Sequence, residues 1–177
     1  MARPRRSEQT REDLINAGIE QLSLHGYHGT GIKQILDQVS VPKGSFYNFF
    51  ASKEAFVAEL IDHYSEGLLA TLNEFLMASQ GKLSSIEQLR RIYQVSLESF
   101  AQSKCQKSCL VGALAVELGG ESELCQRALM VSVNKWLAIY TQLFKCAQQQ
   151  GDVRGDITPE QLATLYWSAW EGTLLKM

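Results

Sequence analysis

No stretch of this sequence is apolar for long enough to cross a bilayer. The longest uninterrupted run, Leu110 to Val116, is seven residues, against the roughly 18 to 20 that a membrane helix needs. A secretory leader is not expected either, because Arg3, Arg5 and Arg6 are followed at once by Glu8, Arg11, Glu12 and Asp13 rather than by an apolar segment. Cysteine is scarce and badly spaced for metal. Cys105, Cys109, Cys125 and Cys146 lie in the second half without paired spacing and are too few for a disulfide scaffold. The three histidines, His25, His28 and His63, form no i, i+4 pair. No metal and no cofactor are expected, and a reducing cytoplasm is the expected compartment. Proline occurs only at positions 4, 42 and 159, and no run of β-branched residues alternates with polar ones, which leaves an all-α protein.

The helices can be placed from apolar spacing and end signals. Ile15, Ile19 and Leu22 recur at one face until Gly26, predicting a helix over about 8–24. Thr30 is placed to cap a short helix carrying Ile32, Ile35, Leu36 and Val39. Val41-Pro42 imposes an extended residue and a turn, a third short helix follows over about 43–49, and Ser52 caps a fourth. Ser84-x-x-Glu87 is a capping box for a helix over 85–102. Leu110–Leu118 is a short apolar helix closed by Gly119-Gly120, and a long helix is expected over about 121–148. Thr158-Pro159-Glu160-Gln161 opens the last one with an N-cap and a first-turn proline.

The formal net charge of -2 is unevenly spread. Residues 1–53 hold seven Lys/Arg against five Asp/Glu, so the remainder carries -4. A basic N-terminal segment on an acidic body suits an anionic partner for that segment alone, unless the asymmetry is ordinary solvating charge. Two short helices around a turn between 31 and 49 have the layout of a helix-turn-helix. The order Gly26-Tyr27-x-x-Thr30-x-Ile32-x-x-Ile35, then Val41-Pro42-Lys43-Gly44-Ser45-Phe46-Tyr47-Asn48-Phe49-Phe50-x-Ser52-Lys53-Glu54-Ala55-Phe56, resembles the N-terminal domain of the tetracycline-repressor (TetR) family. The likeness covers about residues 8–60.

The resemblance implies a three-helix DNA-binding domain over 1–53, with 1–7 as a basic arm. A fourth helix joins it to a helical bundle over 54–177 that binds an effector and dimerises. The chemistry of the residues agrees with those roles. Gly44 lets the backbone approach a duplex, and Lys43 and Ser45 stand where a helix start favours phosphate. Asn48 is suited to pair with adenine. By resemblance, Tyr47 touches the DNA backbone, Asn48 reads a base edge, and Thr30 and Lys53 clamp phosphates. Phe46, Phe49 and Phe50 read as core. Arg3, Arg5 and Arg6 either follow the DNA or form a solubilising tail.

In the second half, the segment from Ser108-Cys109-Leu110 to Leu118 resembles a TetR subgroup that senses electrophiles or small unsaturated acids. Cys109, near Lys104 and Lys107 and capped by Ser108, would then be a reactive thiolate, with Cys105 as a resolving partner. The alternative is a small buried apolar residue, as read for Cys125 and Cys146. Tyr93, Phe100, Trp136 and Tyr140, with Phe144, either line an effector pocket anchored by Glu117 or are plain core. The last helix has one apolar face of Leu162, Leu165, Tyr166 and Ala169 and another of Ala163, Trp167, Trp170, Leu174 and Met177, so one is expected against a second copy. The family usually adds a further helix after this one, so the full interface is not expected from this helix alone. The expected function is a homodimeric repressor on a palindromic operator, released by a small molecule or by Cys109 modification. A redox-only sensor or a ligand-dependent activator is the alternative. An enzyme built on Cys109 with His63 or Glu117 is not expected, since no nucleophile, base and oxyanion set forms a motif. A protein-interaction module that has lost DNA binding is argued against by Lys43, Tyr47 and Lys53.

Overall fold

A computed structural model describes residues 6–102, 109–118 and 120–174. Arg3, Arg5, Lys104, Cys105, Lys107, Ser108, Gly119 and Met177 lie outside the described residues, as does the side chain of Arg6. The described elements are helical: α1 (Arg6–Gly29), α2 (Ile32–Gln38), a 3-10 turn (Lys43–Asn48), α3 (Lys53–Ser79), α4 (Ser85–Gln102), α5 (Leu110–Leu118), α6 (Glu123–Gln150) and α7 (Pro159–Leu174). No helix among them is long and apolar enough to cross a membrane.

The caps explain most boundaries. Ser84 and Glu87 exchange side-chain-to-backbone hydrogen bonds of 3.4 and 2.7 Å at the start of α4. Thr158 and Gln161 do the same at α7, at 3.2 and 3.3 Å. The Ser52 hydroxyl accepts from the Ala55 amide at 3.1 Å at the start of α3. Two local expectations are corrected. The N-cap of α2 is Gly31, not Thr30, because the Gln34 side chain accepts the Gly31 N–H at 2.8 Å. The segment expected as a helix over 43–49 is a six-residue 3-10 turn. Gly26 breaks α1 where the apolar pattern stops, at φ 68°, and a short helical turn runs on from there to Gly29.

Between α2 and the 3-10 turn the chain reverses at Ser40, whose φ is 56°. The Val41 N–H donates to Leu36 O at 3.0 Å and the Ser40 N–H to Asp37 O at 3.3 Å. This is a Schellman end with serine in the position glycine usually fills.

Packing divides the chain into two compact units. The first comprises 1–65 and 108–130, and the second 66–107 and 131–177. Thus α3 and α6 each give residues to both, and α5 belongs with the first, although the sequence reading drew its boundary at 53. In the first unit, Leu14, Leu22, Ile35, Leu36, Phe46, Phe56, Leu60, Leu110, Leu114 and Leu118 are fully buried. Phe46, Phe50 and Phe56 meet ring to ring, with centroids 4.7 to 5.5 Å apart. So Phe46 and Phe50 are core, as expected, while Phe49 is half-buried. The second unit closes around Leu89, Tyr140, Leu143, Phe144 and Ala163. There the buried Gln88 amide donates to Ser79 Oγ at 2.8 Å, so its polarity is met inside.

Helix α1 approaches α3 at a glycine. A Cβ on Gly18 would lie 2.4 Å from Phe56 Cζ and 2.7 Å from Leu60 Cδ1. Overpacking of that size costs about 1–3 kcal/mol. Gly18→Ala should therefore lower the unfolding free energy from urea titrations by that much, and adding Phe56→Leu should return part of it.

Candidate nucleic-acid interface

The outward side of the 3-10 turn is built by what its inward side buries. Phe46 is fully buried, and its carbonyl accepts from the Phe49 and Phe50 amides at 2.9 and 3.0 Å. Lys43, Gly44 and Asn48 are left exposed, Ser45 half-buried and Tyr47 60% exposed. The Tyr47 ring stands edge-on to Phe46 with centroids 5.4 Å apart, which holds its phenol outward. A Cβ added to Gly44 would meet nothing within 4 Å. Nothing inside the protein requires glycine there, and the space over it is open to an approaching surface. An ammonium, a hydroxyl, a phenol and a carboxamide thus share one short exposed segment. That is a donor set suited to phosphates and base edges.

Thr30 and Lys53 are placed differently from expectation. Thr30 is 1% exposed and its hydroxyl donates to Gln21 O at 3.2 Å, so its side chain is a clasp inside α1 rather than a phosphate clamp. Lys53 Nζ donates to Tyr27 O at 2.9 Å and Thr30 O at 2.8 Å and lies 4.0 Å from the Tyr27 ring centroid. Its partial burial lowers its pKa from the ordinary lysine value. Two of its three N–H donors fasten α3 to the end of α1, so its first role is to position the helix-turn-helix. Nearby, Arg11 pairs with both carboxylate oxygens of Glu59 and stacks 5.0 Å from the Phe50 centroid.

Tyr27 is the hub that sequence reasoning passed over. Its carbonyl and ring hold Lys53, its phenol donates to Glu54 at 3.3 Å, and its N–H donates to Glu117 at 2.9 Å. Burial, and then the neighbouring Glu54 carboxylate, push the phenol up to about 12. Glu117 was expected as an effector anchor, and here that reading is corrected. Its carboxylate is taken up by the Tyr27 amide and by the His28 amide at 3.1 Å. These partners lie 90 and 89 residues away in the chain, a separation for which sequence periodicity carries no signal.

The remaining effector candidates separate by unit. Cys109 is half-buried at the start of α5 and not in a disulfide, and its carbonyl accepts the Ala113 N–H at 2.9 Å. Tyr93, Phe100, Trp136 and Tyr140 belong to the second unit. The Tyr93 hydroxyl pairs with Thr173 Oγ1 at 2.7 Å, and its ring meets Tyr166 and Trp170 at 5.7 and 5.9 Å. Trp136 lies 6.0 Å from Tyr140 and 6.2 Å from Trp167. Tyr140 is 4.7 Å from Tyr166, whose hydroxyl donates to Leu89 O at 2.7 Å. Tyr140 is buried core, whereas Tyr93, Phe100 and Trp136 are half-buried. Cys125 is buried, which raises its thiol pKa. No group of three or more metal-ligating side chains occurs among the described residues.

Residues 14–60 match the family of bacterial regulatory proteins, tetR family, and residues 85–177 match the Tetracyclin repressor-like, C-terminal domain. Transcriptional regulator AcuR of Cereibacter sphaeroides is 34% identical over 93% of this chain and 74% of its own length. HTH-type transcriptional repressor NemR of Escherichia coli K12 is 30% identical over 94% of this chain and 83% of its own. Repressor DhaR of Mycobacterium sp. strain GP1 is 28% identical over 94% and 81%. Among solved structures, regulatory protein TetR from Rhodobacter sphaeroides superposes with a TM-score of 0.86 at 34% identity, covering 94% of this chain and 87% of that one. The reduced form of E. coli NemR gives 0.82 at 27% identity, covering 95% and 87%.

The Tyr27 phenol makes stability depend on alkaline pH. An unfolded chain releases this proton at about 10 and the folded one at about 12, so the stabilising difference is whole below pH 10 and is lost as pH rises through 12. Tyr27→Phe should flatten the fall in unfolding free energy between those values, as read by urea titrations at stepped pH.

Proposed function

This chain belongs to the TetR family of DNA-binding transcriptional regulators, and from that membership we propose that it is a cytoplasmic homodimeric repressor of a palindromic operator. The observation that carries the reading is the exposed set Lys43, Gly44, Ser45, Tyr47 and Asn48 fixed by the buried Phe46. In this reading Lys43 and Ser45 meet phosphates, Tyr47 the sugar-phosphate backbone and Asn48 a base edge. Lys53 and Thr30 act beneath them by holding α1, α2 and α3 together.

Gly44→Ala tests the interface with little risk to the fold, since its Cβ enters open space. The unfolding free energy should stay within about 0.5 kcal/mol of wild type while affinity for a duplex selected from a random pool falls. Asn48→Ala should lose about 1–3 kcal/mol at particular base pairs and little on random DNA. Equal losses on both would remove Asn48 as a reader.

The dimer reading rests on α7. Leu162, Tyr166, Trp167 and Trp170 turn partly inward, whereas Leu165 is 65% exposed and Ala169 is exposed beside it. Leu165 is therefore the side chain offered to a second copy, and Trp170, half-buried, packs on Tyr93 of its own chain. Leu165→Glu should sediment as a folded monomer with much weaker operator binding. A dimer in that variant would move the interface elsewhere.

Release from DNA is assigned to a small molecule bound in the second unit or to modification of Cys109. The half-buried Tyr93, Phe100 and Trp136 support the first, and the half-buried thiol supports the second. Treatment with N-ethylmaleimide separates them. Wild type should lose the operator and Cys109→Ser should keep it if the thiol is the trigger.

A further inference from the structure

We propose that Glu117, which lies outside the helix-turn-helix, is a positioning residue for DNA binding. Its carboxylate, delivered by α5, fixes the joint over Gly26–Thr30 from which the helix-turn-helix departs. The inference rests on the DNA-binding reading above and extends it to a residue of another helix.

The joint creates the need. At φ 68° and ψ -176°, Gly26 interrupts α1, and an interrupted helix leaves the next amides without intrahelical acceptors. Glu117 Oε2 accepts two of them, from Tyr27 at 2.9 Å and His28 at 3.1 Å. Hydrogen bonds to an ionised acceptor are about twice as strong as neutral ones. The other oxygen sits on Gly26 itself, where an added Cβ would be 2.3 Å from Glu117 Oε1. Glycine is thus required there twice, for the left-handed backbone and for the carboxylate seated against it.

The clamp has a firm base and a short path to the exposed turn. Leu110, Leu114 and Leu118 of α5 are fully buried in the same unit, so the helix that carries Glu117 cannot shift without opening that core. On the other side, Tyr27 O and Thr30 O hold Lys53 at the first position of α3. Gly31, next in the chain, caps α2. Moving Tyr27 therefore moves the start of both helices that frame the 3-10 turn. Glu117 acts on DNA only through this joint.

The test uses the full chain and a duplex selected from a random pool by the wild-type protein, at a temperature where every variant is folded. Glu117→Ala should speed hydrogen exchange at the Tyr27 and His28 amides and weaken the selected duplex on the order of tenfold. Random duplex should be held as before, so that the ratio of specific to random affinity falls. Glu117→Gln keeps an acceptor oxygen and should restore most of that ratio, which a loss of bulk stability would not predict. Gly26→Ala should mimic Glu117→Ala in DNA binding and cost no further affinity in its background. Wild-type specificity in Glu117→Ala, or unchanged exchange at both amides, overturns the proposal. A wild-type chain that selects no duplex overturns the DNA-binding reading itself.

Discussion

A helix that breaks inside a protein must find partners for the amides and carbonyls it no longer pairs. In this chain the break at Gly26 is answered from two directions. Glu117 receives the N–H groups that follow it, and Lys53 supplies donors to the carbonyls of Tyr27 and Thr30. Opposite charges are thus both fastened to a five-residue segment, and the aromatic ring of Tyr27 lies under the cation. The first residue of α3 and the cap of α2 are set by this arrangement, and with them the frame of the 3-10 turn. Without it, Phe46 would still be apolar and would still seek burial, but the direction of the exposed residues around it would not be fixed.

Much of this was legible in the sequence because the signals are local. The boxes Ser84-x-x-Glu87 and Thr158-x-x-Gln161 form as their spacing requires, and Ser52 caps α3. Apolar periodicity and end signals placed α4 and α6 to within a few residues, while α3 was given its start and no end. The errors fall where a local rule met a tertiary partner. Thr30 has the composition of a cap, yet its hydroxyl is drawn back to Gln21 O and Gly31 takes the place. Gly26 reads as a stop and does break the helix, but nothing local shows that a carboxylate 90 residues away accepts the amide left beyond it.

The candidate site divides in the same way. Lys43, Gly44, Tyr47 and Asn48 could be singled out because a motif and their chemistry point the same way, and their exposure follows from the burial of Phe46 between them. The effector residues had only aromatic character and helical spacing to recommend them, and that signal does not distinguish lining from core. Tyr140 proves to be core, Glu117 belongs to α1's break, and Cys109 and Glu117 occupy the two ends of one nine-residue helix region in the first unit. The same ambiguity affected α7, whose two apolar faces spacing alone could not tell apart. Actual packing turns Trp170 toward Tyr93 and leaves Leu165 outside.

The three tryptophans of the chain, Trp136, Trp167 and Trp170, all fall in the second unit, while the first has only tyrosine and phenylalanine rings. Indole emission excited at the red edge of the ultraviolet band is therefore a built-in optical label for one half of the protein. With Trp136 and Trp167 6.2 Å apart, excitation passes between neighbouring indoles, and a change at one ring is seen in the summed signal. The half that carries Lys43 to Asn48 is dark at that wavelength, so a change in this emission reports on the other half without a dye attached.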